Sequence, residues 1–119
     1  MKKILSIAIL FIALTGYSQS LSQKFNVKDY AKKQTEMIQS ALELNQTTAD
    51  KVYKQNLYKA LAIQKRIILL EKQGQTAGKT LDQVINVVEI EAEKASGYQT
   101  FMKGILGDKY EQFVAKFGK

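Results

Sequence analysis

The chain has 119 residues, with 18 Lys and Arg against 11 Asp and Glu, a net charge of +7, and no histidine, cysteine or proline. Without His and Cys the usual general base, thiol nucleophile and soft metal ligand are missing, and no disulfide can form. No proline and few glycines point to an all-α chain of long helices, while the positive charge favours anionic partners over cationic ones.

At the N-terminus Met1, Lys2 and Lys3 make a basic start. Ile4 to Leu14 follow as an apolar run interrupted only by Ser6, and Gly16 and Ser18 place small residues before a break. This pattern reads as a secretory signal peptide, residues 1 to 18, cleaved near Ser18. The alternative, a retained anchor, would have about half the length needed to span a bilayer. Cleavage removes Lys2 and Lys3 and leaves 16 basic against 11 acidic residues, about +5, on residues 19 to 119, which are long enough for a single helical domain. The expected location is periplasmic or secreted, which makes nucleic acid the least expected partner.

Residues 19 to 25 have no period and are expected to be a mobile lead-in. A first helix is predicted from the capping residue Asn26 to about Glu43, with Tyr30, Ile38, Ala41 and Leu42 on one side. After the capping stretch 45 to 48, the strongest periodic run predicts a helix from Ala49 to Lys72. Its stripe is Ala49, Tyr53, Ala60, Ile63, Ile67 and Leu70, widened by Val52, Leu57, Leu61 and Ile68 to about half of the helix surface. Gly74 and Gly78 mark a turn. Thr80 then caps a third helix from Leu81 to about Lys103, with the stripe Val84, Val88, Ala95, Tyr98 and Met102. Gly104 and Gly107 punctuate its end, and residues 108 to 117 predict a short final helix with Tyr110, Phe113, Val114 and Phe117. The short connection between the two long helices predicts an antiparallel hairpin, with one helix before it and a short one after it packed alongside.

Three constellations bear on function. Glu89, Glu91 and Glu93 are the densest acidic group, but residues two apart on a helix face different ways, so they are not expected to converge on one substrate atom. Glu91 interrupts the apolar stripe of the third helix. It is either a specificity device or ligand contact, or a groove edge where the carboxylate reaches water, Gln64 or Arg66. Lys51, Lys54, Tyr58, Lys65, Leu69 and Lys72 recur at three, four and seven residues along one side of the second helix. That row is either an ordinary solvated face or a mixed surface on which an anionic amphipathic partner buries apolar groups while the lysines attract its charge. Ile90 and Phe101 also project away from the main stripe, with Phe113 and Phe117 expected near them, either to complete a core with the first helix or to mark an exposed patch.

The stretch from Leu42 through Leu44, Asn45 and Thr48 to Lys51 and Val52 resembles the signature of Spy/CpxP-like periplasmic proteins, Leu-Thr-x-x-Gln followed by x-x-Lys-Val. Asn45 stands in place of the Thr and Thr48 in place of the Gln. A second copy, Leu-Thr-x-x-Gln-Tyr-x-x-Phe in the family, is similar to the stretch Ile105, Leu106, Tyr110 and Phe113, one residue shorter and without the Thr and Gln. The resemblance implies an all-helical, often dimeric envelope protein acting as an ATP-independent chaperone or stress modulator. Its metal-sensing branch relies on His-type ligands that this chain does not have.

The expected role is therefore binding of unfolded or amphipathic polypeptides, with no catalysis and no cofactor. The alternative is a helical adaptor with one dedicated partner or an anionic envelope polymer, and a homodimer is compatible with either.

Overall fold

The computed structural model describes residues 20 to 118, and the leader assigned to residues 1 to 18 lies outside them. All regular structure among the described residues is helical: α1 (Leu21–Lys24), α2 (Val27–Leu42), α3 (Gln46–Lys72), α4 (Leu81–Ser96), α5 (Tyr98–Leu106) and α6 (Tyr110–Phe117), with a 3₁₀ turn at Gly107–Lys109. The fold is the expected all-α arrangement, an antiparallel hairpin of α3 against α4 and α5 with a helix before it and a short helix after it. α3 is central and packs most extensively against α2 and α4.

Local chemistry explains the helix starts. The Asn26 side chain accepts from the Asp29 N–H (3.0 Å), and Asn45 accepts from the Thr48 N–H (2.8 Å), so each satisfies a donor the helix leaves open. Thr80 and Gln83 exchange both bonds of a capping box at the start of α4. α2 ends with Glu43 in the left-handed region (φ 54°). There the Lys109 ammonium donates to the carbonyls of Leu42 (2.8 Å) and Glu43 (3.2 Å), covering the negative end of α2 with a positive charge.

Two expectations are corrected. The lead-in is not featureless: Ser20 and Gln23 form a capping box, α1 docks on the end of α3 where the Leu21 N–H donates to Glu71 (2.8 Å), and Phe25 is buried with its ring 5.4 Å from that of Tyr30. The expected third helix is broken in two at Gly97, which takes a left-handed conformation (φ 66°), and its second part runs through Gly104 to Leu106. Of the predicted stripe, Val84 and Val88 on α4 and Tyr98 and Met102 on α5 are buried, joined by Glu89, Ala92 and Leu106, while Ala95, close to the break, and Glu91 are exposed.

The core has two apolar clusters. One joins Ile38, Leu42, Leu44, Val52, Tyr98, Met102, Leu106 and Phe113 at the end where α6 packs back. The other joins Phe25, Ala60, Ile63, Ile67, Val84, Val88 and Ala92 towards the hairpin turn.

Polar side chains from α2, α3, α4 and α5 lie between the two clusters. The Tyr98 hydroxyl donates to Asn56 (2.6 Å), the Asn56 amide donates to Thr35 (2.9 Å), and the Thr35 hydroxyl donates to the Ala31 carbonyl (2.7 Å). Beside this chain Tyr30 donates to Glu89 (2.6 Å) and Lys59 meets Glu93 (3.3 Å). The Lys59 ammonium also lies 4.1 Å from the Tyr98 ring centre and 5.7 Å from that of Tyr30. Such groups are tolerated in a core because each has a partner.

Candidate functional site

Every residue of the predicted row, Lys51, Lys54, Tyr58, Lys65, Leu69 and Lys72, is exposed on α3. At 3.6 residues per turn the row lies roughly opposite Val52, Asn56, Ile63 and Ile67, the residues α3 turns into the core. α2 covers that inner side, so the outer side of the α3 and α4–α5 hairpin faces solvent.

The row does not form one continuous site; it divides between two grooves. Tyr58, Lys65 and Leu69, with Leu61, Ala62 and Arg66, line a shallow groove of about 450 Å³ closed on its far side by Ala95 and Ser96 of α4. Lys51 and Lys54, with Asp50 and Gln55, line a second groove of about 300 Å³ against Phe101 and Ile105 of α5. Lys72 lines neither. Tyr58, Leu61, Leu69 and Phe101 are each about half exposed, so the apolar parts of both grooves are open to a partner.

Glu91 belongs to the rim of the first groove rather than to the core. Its carboxylate lies 3.8 Å from Arg66 across the hairpin and 3.9 Å from Lys94, all three side chains being well exposed. Of the two uses open to it in the sequence, the geometry gives the groove edge with Arg66. Surface pairs of this kind add little stability.

Ile90 and Phe101 part company. Phe101 forms a wall of the second groove, whereas Ile90 lines a third groove of about 510 Å³ with Lys94, Thr100, Tyr110 and Val114. Phe113 is buried against Tyr98, with ring centres 6.3 Å apart, and reaches the Ile90 groove only through Tyr110, whose ring centre lies 6.0 Å away.

The acidic group requires a correction of geometry. Glu89 and Glu93, four residues apart, share one side of α4 and line a small cavity of about 200 Å³ with Lys59, Tyr98 and Gln99, walled by Ile38, Phe113 and Phe117. Glu89 is 6% exposed. The two-residue spacings within the acidic group hide this pair in the sequence; the four-residue spacing of Glu89 and Glu93 is the signal that points to it. The cavity's polar groups are engaged with one another: Tyr30 on Glu89, and Lys59 and Gln99 on Glu93. Burial, reinforced by the bond to Glu89, pushes the Tyr30 hydroxyl well above the usual tyrosine range. Burial and the nearby charges of Glu93 and Glu89 do the same to Tyr98.

Compared with known proteins, the chain matches no family model, no curated protein and no solved structure. Among the described residues no group of His, Cys, Asp and Glu is arranged to hold a metal ion, and no helix is long and apolar enough to cross a membrane.

Proposed function

We propose that this is an exported envelope protein that holds unfolded or amphipathic polypeptides without nucleotide or cofactor, in the manner of a Spy/CpxP-like chaperone. The observation that carries the reading is the outer side of α3, where half-exposed Tyr58, Leu61, Leu69 and Phe101 stand among Lys51, Lys54, Lys65 and Arg66. Apolar contacts hold the chain of a client, and the ammonium groups draw in its acidic stretches and speed encounter. Shallow, open grooves favour brief and unselective contacts.

The two stretches that resemble the family's paired signatures add support. Leu44 and Val52 from the first, and Leu106 and Phe113 from the second, meet in one core cluster, with Tyr110 packed against it. The proposal gives the chain no catalytic role. A second reading, an adaptor with one dedicated partner, draws on the separate groove of Ile90, Tyr110 and Val114.

The test is whether the purified protein slows the aggregation of two unrelated unfolding proteins without ATP. Suppression of both at near-stoichiometric ratio is expected. Exchange of Lys51, Lys54, Lys65 and Lys72 for Gln then weakens the effect most at low salt, where surface charges are least screened. No effect on either client moves the assignment to the adaptor, whose partner crosslinking in the envelope would identify.

A further inference from the structure

The two grooves on the outer side of α3 are stacked along one helix. The first is centred near residue 63 and the second near residue 53, so at 1.5 Å per residue their centres are about 15 Å apart. An extended chain rises about 3.3 Å per residue and covers that distance in four to five residues, whereas a helical ligand needs about ten. The interval fixes which ligand side chains can fill both grooves at once.

The charge around them is one-sided. Lys51, Lys54, Lys65 and Arg66 line the two grooves, against Asp50 and against Glu91, which is already engaged by Arg66 and Lys94. A second copy of the chain docking through the same face would set these lysines against their own counterparts. An acidic partner is drawn to them instead.

Gln55 distinguishes an extended ligand from a helical one. It lines the second groove, is 9% exposed, and its side-chain carbonyl oxygen has no hydrogen-bond partner among the described residues. A buried acceptor without a donor is costly, and its terminal torsion is soft, so a rotation can offer the carbonyl to a donor arriving in the groove. Extended polypeptide presents free main-chain N–H groups along its length, while those inside a helix are already bonded to their own carbonyls.

Resting on the polypeptide-binding reading above, we propose that the outer side of α3 is a two-point reader of extended acidic polypeptide. One apolar side chain sits against Phe101 and Ile105. A second, four residues away on the same face of the ligand, sits against Tyr58, Leu61 and Leu69. A carboxylate between them meets Lys54, and a main-chain N–H of the ligand satisfies Gln55.

The experiment uses fluorescein-labelled peptides of constant Gly, Ser, Asp and Leu composition, each with two Leu residues at separations of two, four, eight or eleven. Binding to the purified protein is followed by anisotropy at low salt. The four-residue separation, which keeps both Leu side chains on one face of an extended chain, is expected to bind about tenfold tighter than the two-residue one, because the second anchor then engages without a further encounter. F101A, at a half-exposed position, is expected to keep the helical circular dichroism signal and to abolish that preference. Q55L is expected to weaken the four-spaced peptide several-fold but not its backbone N-methylated version. Equal affinity at all separations, or a best separation of eleven with induced helicity, overturns the proposal while leaving polypeptide binding in place. If neither the peptides nor an unfolded protein bind, the functional reading falls with it.

Discussion

The inner and outer sides of α3 carry the same kinds of residue to opposite ends. The inner side combines Val52, Ile63 and Ile67 with Asn56 and Lys59, and the outer side combines Tyr58, Leu61 and Leu69 with Lys51, Lys54 and Lys65. Inside, each polar group is held by a neighbour: Asn56 between Tyr98 and Thr35, Lys59 against Glu93 and two tyrosine rings. Outside, the ammonium groups keep their water and the apolar groups keep their exposure. The contrast teaches that a lysine's role on this helix follows from whether a neighbouring helix covers it, because desolvation is what turns a surface charge into a structural commitment.

The sharpest way to break the comparison is to delete matched apolar groups on the two sides. Ile63→Ala removes a fully buried side chain beneath α2 and α4 and is expected to cost about 4 kcal/mol in urea unfolding. Leu61→Ala, two residues away but half exposed, is expected to cost less than about 0.5 kcal/mol and to weaken the proposed polypeptide binding instead. Similar losses from both would mean that the two sides are not distinct.

Matched lysines come next. Lys59→Met is expected to cost about 3 kcal/mol, because it takes the counter-charge from the Glu93 carboxylate and removes the cation between the rings of Tyr30 and Tyr98. Lys65→Met should leave the unfolding midpoint within the error of measurement. It shows instead in the salt dependence of binding.

Alkaline titration sharpens the same contrast through tyrosine. Tyr30 and Tyr98 ionise less readily in the folded protein than in the unfolded chain, where the value is about 10. Below that pH neither state has lost the proton and the stability is fully present. Above it the unfolded state ionises first, and each of the two tyrosines takes away about 1.4 kcal/mol per pH unit. Absorbance near 295 nm should show Tyr30 and Tyr98 ionising together with the loss of helicity as the chain unfolds. Ionisation of these two tyrosines without loss of helicity would contradict the buried polar layer.

A smaller loss than those in the core is expected at the break between α4 and α5. Gly97→Ala places a Cβ at a left-handed position and 3.4 Å from the Phe101 ring, and is expected to cost about 1 kcal/mol. Because Phe101 walls the second groove, the same substitution should disturb binding there more than binding of a ligand confined to Tyr58 and Leu69.

Periodicity and punctuation determined the number of long helices, their caps at Asn26 and Thr80, the turn between Gly74 and Gly78 and the antiparallel pairing of the hairpin, because these depend on local hydrogen bonding and on the 3.6-residue repeat. The exposed row from Lys51 to Lys72 was legible for the same reason. Three features were decided by tertiary structure alone. A glycine within a periodic segment is compatible with a continuous helix, and the break at Gly97 appears only in the folded chain, where it accompanies the packing of Tyr98 and Met102 in one cluster with Ile38 and Val52. Asn56, Lys59 and Glu89 have polar side chains that ordinarily belong in water, and they are buried because Thr35, Glu93 and Tyr30 arrive from other helices. The row on α3 became two grooves when Ala95 and Phe101 came alongside it, since a groove needs a second wall and a single helix has only one.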